Sequence, residues 1–178
     1  IVALRAATGE RAWHFQTVHH DLWDYDNASP PALVTLNRDG RAIDVVVQAN
    51  KSGMLFVLDR DTGVPVFPVE ERPVPASDVP GEEAWPTQPF TTFLPPLVPF
   101  TVSSDDAWGW MGIGKRACRD QIAALRHEGV FTPPSVRGTL VVPSNIGGAH
   151  WGGLAFDPAE AIAVVPVNRL ATLIRLYP

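Results

Sequence analysis

Residues His19, His20, Asp21, Leu22, Trp23, Asp24, Tyr25 and Asp26 place three carboxylates and two imidazoles among three large apolar or aromatic side chains. A carboxylate held against apolar walls loses hydration, so its pKa rises and it becomes a better proton acceptor near neutral pH. General-base chemistry is one reading of the stretch. The other is a turn in which the Asp side chains cap backbone amides while the rings pack beneath them. His19 and His20 are adjacent, so on an extended segment they point to opposite faces and cannot hold one ion together. A zinc site is therefore not expected. Cys118 is the one cysteine, which excludes an intrachain disulfide and a cysteine-based metal cluster.

The elements that must position these groups are short strands. Apolar and β-branched runs between Gly, Pro and Asp turns predict strands at 2–4, 13–17, 32–36, 43–48, 54–58, 139–142, 162–167 and 172–176. The fold class is all-β, in one domain over 1–178. Asp39-Gly40 between two such runs is a hairpin signal, because Gly tolerates the positive φ of a tight turn. One short helix is expected at 115–127, with Cys118, Ile122 and Leu125 on one face and Gly129 as the stop. Proline accounts for 18 of 178 residues, about twice the usual share, which excludes long helices. Much of it lies between 70 and 99, where alternation is weak. That stretch reads as a long Pro-rich excursion over the surface, in which Trp85, Phe90 and Phe93 need somewhere to pack.

With 46% hydrophobic and 19% charged residues the chain has a globular balance, and a net charge of −5 without a Lys/Arg run argues against nucleic acid as a partner. No apolar run approaches the roughly 20 residues of a membrane span. The chain opens at Ile1 without an initiator Met, so it reads as a piece of a longer protein, and any targeting segment or membrane association belongs to regions outside it.

A weak internal repeat bears on the architecture. Ala3 to Trp13 aligns with Val57 to Phe67, with Thr8-Gly9 and Thr62-Gly63 in register at an offset of 54 residues and an aromatic four residues after each Gly. Each unit is strand, Thr-Gly turn, strand, which is how one antiparallel blade would dock on the next through a repeated ring. The segment Leu154-Ala155-Phe156-Asp157-Pro158 resembles a third copy that has lost its Thr-Gly. The alternative fold is a β-sandwich with a decorated loop.

The pattern Ala-x-Asp-x-x-Thr-Gly-x-x-x-Trp, met at Ala3 to Trp13 with Arg5 in place of the Asp, resembles the tryptophan-docking motif of quinoprotein dehydrogenase β-propellers. The runs at 17–26, 53–60, 68–75, 86–90, 128–135 and 151–153 resemble the membrane-type glucose, quinate and shikimate branch of the pyrroloquinoline quinone (PQQ)-dependent dehydrogenases. The resemblance implies the C-terminal blades of an eight-bladed propeller whose funnel holds PQQ and Ca²⁺, with upstream blades missing. It implies oxidation of a sugar or polyol hydroxyl by hydride transfer to PQQ, electrons passing to ubiquinone at the periplasmic face of the bacterial inner membrane. Asp24 matches the family's general base and is a candidate Ca²⁺ ligand, while the principal Ca²⁺ ligands lie upstream of Ile1. Lys51 matches the basic residue that hydrogen-bonds the quinone oxygens, where negative charge grows. Trp151 and His150 match a segment lining the cofactor pocket, although relatives often carry Asn or Asp where His150 stands. Asp21 and Asp26 are expected to fix the loop as hydrogen-bond partners. The run Ser104 to Arg119 keeps Asp106-Ala107-Trp108-Gly109 and Cys118-Arg119 but differs between them, which leaves substrate choice open. The rival readings are a non-catalytic propeller scaffold for protein partners, and a fragment inactive by itself because an opened propeller exposes strand edges.

Overall fold

The computed structural model describes residues 1–111 and 113–177. Gly112, inside the run from Ser104 to Arg119, lies outside the described residues. Strands β1 (Val2–Leu4) and β2 (Arg11–His14) pair antiparallel with Ala3 opposite Trp13. Strands β3 (Ala32–Arg38), β4 (Arg41–Ala49) and β5 (Leu55–Asp59) form a three-stranded meander. Asp39 and Gly40 join β3 to β4 at φ of 53° and 75°, the two positive values of a type I′ hairpin.

The repeat is a docking device. After β5, Asp59 Oδ1 accepts from the backbone of Asp61 and Thr62 and from the Thr62 hydroxyl, and these bonds hold the Asp59 carboxyl below the ordinary range. The turn ends on Gly63 at φ +74°, and a Cβ there would sit 2.6 Å from two atoms of the Trp13 indole. Trp13 lies on this bare turn, donates from Nε1 to Arg60 O at 2.9 Å, and packs against Val46 and Leu58. The ring of the first copy thus docks on the Thr-Gly turn of the second. Phe67, the ring of the second copy, stacks on Phe93 at 4.3 Å, so one aromatic of the Pro-rich excursion has its partner. Gly63→Ala is expected to cost about 2–4 kcal/mol, from left-handed strain plus displacement of the indole. Thermal unfolding of the full-length protein checks this, and an unchanged midpoint would contradict the docking.

Two features of the middle of the chain differ from expectation. The excursion contains a hairpin, β6 (Val69–Pro73) with β7 (Thr87–Thr91), in which Glu71 faces Pro89. Prolines masked it in the sequence, but a two-stranded ribbon has free edges where a missing N–H costs nothing. The helix α1 (Lys115–Ala124) ends before residue 127. Leu125 is already extended, and Arg126 is taken into strand-like pairing, donating to Gly138 O and accepting from Leu140 N–H. His127 is held as well, donating from Nδ1 to Leu140 O and accepting the Val102 N–H at Nε2. Cys118, Ile122 and Leu125 are half-buried, so the expected apolar face is present.

Strand β8 (Thr139–Val141) pairs with β11 (Thr172–Ile174), and β9 (Ala155–Asp157) with β10 (Ile162–Val164). The third copy of the repeat is real in its geometry. Asp157 Oδ1 accepts from Ala159 and Glu160 N–H as Asp59 does in the second copy, and Ala161 takes φ 54° where that copy has Gly63. The largest apolar cluster joins Val18, Trp23, Tyr25, Met54, Phe56, Val130, Phe131 and Val141, which places the acidic octapeptide directly on the core. Among the described residues no helix is long and apolar enough to cross a membrane.

Candidate active site

Alternation decides the octapeptide. Trp23 is 1% exposed and Tyr25 fully buried, whereas Asp24 and Asp26 face outward. The Trp23 and Tyr25 rings meet Phe131 edge-on at 5.1 and 5.9 Å, Trp23 Nε1 donates to Thr132 O at 2.9 Å, and the Tyr25 hydroxyl donates to Pro143 O. Burial pushes the Tyr25 phenol far above its ordinary pKa, with the charge on Asp21 adding to the effect, so it remains a neutral donor. Asp21 spans the segment: its Oδ1 accepts from Trp23 N–H at 2.9 Å and its Oδ2 from Tyr25 N–H at 2.7 Å. The capped turn with rings packed beneath it is the reading this geometry shows. The capped turn is what aims Asp24 and Asp26 at solvent.

Asp21, although its surface remains exposed, is the acid of the three whose pKa is shifted. Its partial burial raises the carboxyl pKa against the opposing pull of the two backbone bonds, with a smaller push from Asp24 and Asp26. Asp24 has 65% of its side chain exposed within this chain, so the apolar wall expected beside it is not supplied by the residues described. Asp24 also holds a left-handed backbone at φ 64°, a conformation Asp tolerates and one that recurs at functional sites.

Lys51 comes to this acid from 27 positions away. Its Nζ lies 3.0 Å from Asp24 Oδ2 and 2.6 Å from Asp26 Oδ1, with 15% of the side chain exposed. The turn after β4 presents it. Asn50 Oδ1 accepts from the Ser52 hydroxyl at 2.6 Å, and Gly53 closes the turn at φ 82°. Lys51 N–H donates to Asp26 O at 3.2 Å, and Lys51 O accepts from Gly148 N–H at 2.8 Å. The stem lies against Gly147, where an added Cβ would stand 2.5 Å from Lys51 Cγ. Burial of the stem alone would lower the ammonium pKa, but the bonds and charges of Asp26 and Asp24 outweigh it and raise it above the ordinary lysine value. Lys51 is a buried-stem, permanently charged group, not a loose surface lysine.

Other residues singled out in the sequence make separate contacts. His150 and Trp151 follow the Gly147-Gly148 strip, with their rings 5.2 Å apart and Trp151 79% exposed. Among the described residues neither makes a hydrogen bond or ring contact with Asp24 or Lys51. Gly152 N–H donates to His150 Nδ1 at 3.2 Å. His19 and His20 lie on a bent segment, not an extended one, with His20 at φ 41°. His19 Nε2 bonds Glu71 Oε1 at 2.9 Å, while Gln88 accepts its N–H and donates to its carbonyl. Burial works to raise the Glu71 carboxyl, yet the bonds from His19 and Thr87 prevail and lower it. Gln88 and Asp26 were the partners sequence reasoning missed as such; the Pro-rich setting hid the first, and only the register of two distant turns reveals the second. Among the described residues no group of three His, Cys, Asp or Glu is placed to hold a metal ion.

The arrangement offers a solvent-facing carboxylate as proton acceptor, with a fixed cation in contact with it. Comparison with known proteins adds the setting. The family model described as PQQ: glucose/ethanol/alcohol dehydrogenase, beta-propeller domain, matches residues 1–178. The chain is 41% identical over 180 residues to the quinoprotein glucose dehydrogenase of Escherichia coli, covering 100% of this chain and 22% of that protein. It is 38% identical over 177 residues to the quinate/shikimate dehydrogenase (quinone) of Acinetobacter baylyi, covering 99% of this chain and 22% of that protein. The chain thus spans about a fifth of the length of these relatives. Among solved structures, the quinohemoprotein alcohol dehydrogenase ADHIIG from Pseudomonas putida HK5 superposes with a TM-score of 0.56 at 22% identity, over 99% of this chain and 21% of that one, a likeness of fold.

Proposed function

Because the chain belongs to the PQQ glucose/ethanol/alcohol dehydrogenase β-propeller family, we propose that it carries the base and the quinone-facing cation of a dehydrogenase acting on a sugar or polyol hydroxyl such as those of glucose or quinate. The observation that carries this reading is the Asp24–Lys51 contact at 3.0 Å, made across 27 residues. PQQ, when bound, supplies an electrophilic ortho-quinone that accepts the two electrons of the substrate C–H bond as hydride. The residues present suit such a group. Lys51 is a fixed ammonium, and the glycine strip beside it leaves its stem unobstructed, so it would supply a positive charge to a quinone's oxygens as they gain negative charge.

Asp24 accepts the hydroxyl proton. An alcohol is too weak an acid to lose it unaided, and an outward carboxylate on a rigid aromatic footing can take it as the C–H bond breaks. Lys51 stabilises charge developing on the opposite reactant and holds Asp24 Oδ2 in a defined direction. No step is assigned to calcium, since among the described residues no three of His, Cys, Asp or Glu are grouped to hold it. Transfer of the electrons to ubiquinone, and placement at the periplasmic face of the inner membrane, extend the proposal on family resemblance; the word quinone in the name of the Acinetobacter relative supports the acceptor class. The Asp24–Lys51 pair favours this reading over a scaffold propeller, whose docking needs neither residue.

The direct test is cofactor reduction in the full-length protein. Lys51→Ala is expected to slow substrate-driven reduction of bound PQQ by about 10²-fold or more, the scale set by losing one preorganised electrostatic donor. Stopped-flow absorbance of the cofactor reads it, and wild-type reduction kinetics in this variant would refute the assignment.

A further inference from the structure

We propose that Asp26 is the positioning residue for Lys51, and that it keeps the ammonium in place while Asp24 does its chemistry. This deepens the function proposed above and rests on it. Asp26 grips Lys51 twice, through Oδ1 at 2.6 Å from Nζ and through its carbonyl, which accepts the Lys51 N–H at 3.2 Å. The Asp24 contact is longer, at 3.0 Å. The division of labour follows from the reaction. A carboxylate that takes a proton becomes neutral and releases its ion pair, so Asp24 cannot be the anchor of Lys51 through the step that uses it as a base. Asp26 is the second carboxylate within reach of Nζ among the described residues, and the reaction asks it to take no proton. It also answers why the octapeptide needs a third acid: Asp21 caps the turn, Asp24 faces the substrate, and Asp26 holds the cation.

Asp26 sits two residues beyond Asp24 on the outward face, while Trp23 and Tyr25 between and before them are buried. The spacing is what lets both acids face one ammonium. The stem of Lys51 is fixed from the other side by Gly147, and its carbonyl by Gly148. The head group alone depends on a side chain for its direction.

The experiment uses the full-length protein loaded with PQQ and compares Asp26→Asn, Asp26→Glu, Lys51→Ala and the double variant Asp26→Asn/Lys51→Ala. Two quantities are read, the rate at which PQQ is released into cofactor-free buffer, followed by its absorbance, and the rate of substrate-driven cofactor reduction. Asp26→Asn is expected to raise the release rate and lower the reduction rate by about tenfold each, the usual scale for losing a partner that orients a functional group. The KM for substrate should stay within about twofold and the unfolding midpoint within a few degrees, because the main-chain bond to Lys51 survives. Asp26→Glu should recover part of both rates. In the Lys51→Ala background the same substitution should add nothing. The proposal is overturned if Asp26→Asn leaves release and reduction unchanged, or if its effect persists in full without Lys51. If Lys51→Ala itself changes neither rate, the function assigned to Lys51 fails first, and that result is distinct from a silent Asp26→Asn beside an impaired Lys51→Ala.

Discussion

Replacing Asp24 by asparagine in the full-length protein is expected to lower dye-linked oxidation of glucose or quinate by about 10²–10⁴-fold, the range over which a positioned base contributes. PQQ should remain bound. Asparagine is the right replacement for structural reasons. It has the same shape, and it tolerates the left-handed backbone that Asp24 adopts at φ 64°. Its amide cannot take a proton from an alcohol. Lys51 keeps its contact with Asp26 at 2.6 Å, so the variant removes the base without releasing the cation. Undiminished turnover would sink the assignment of Asp24 as the base. Loss of PQQ along with activity would instead give Asp24 a binding role.

The second large effect concerns the footing of that acid. Trp23→Ala is expected to destabilise the protein by about 3–5 kcal/mol, the usual cost of emptying a large aromatic site. Trp23 is 1% exposed, meets Phe131 and Tyr25, and closes its indole N–H on Thr132 O. Trp23→Phe keeps most of the packing and loses the hydrogen bond, so it should cost about 1–2 kcal/mol. Denaturant unfolding of the full-length protein measures both. Nearly equal losses would mean that the Thr132 bond, not the volume of the ring, dominates. In the phenylalanine variant activity should fall less than in the alanine variant, since Asp24 is aimed by the ring beneath it.

Much of the fold was legible because local chemistry and tertiary structure agree. Asp39-Gly40 forms the hairpin its φ freedom permits, and the Thr-Gly repeat marks where Trp13 docks. The β6–β7 hairpin was not legible, since Pro73 and Pro89 break the pattern by which strands are read, and ribbon edges forgive them. The end of α1 was misplaced because Arg126 and His127 are claimed by Gly138, Leu140 and Val102, partners no helical pattern reveals. At the site, the alternation of rings and acids in residues 23–26 announced a two-sided segment. Which acid is desolvated was not written there. Partial desolvation raises the pKa of Asp21, which caps the turn while staying exposed, and Asp24 stands outward with 65% of its side chain exposed.

The two rings under the acids are fastened to carbonyls 109 and 118 residues further along, those of Thr132 and Pro143. Synthesis proceeds from the N-terminus, so the octapeptide leaves the ribosome long before either carbonyl exists. Until then Trp23 and Tyr25 are loose aromatic side chains, and the acids between them have no fixed direction. Such long sequence separation makes this pairing a late event in folding. A ribosome stalled before residue 132 would hold a chain with every acid of the octapeptide and Lys51 already made, but without the two carbonyls that hold the rings beneath them.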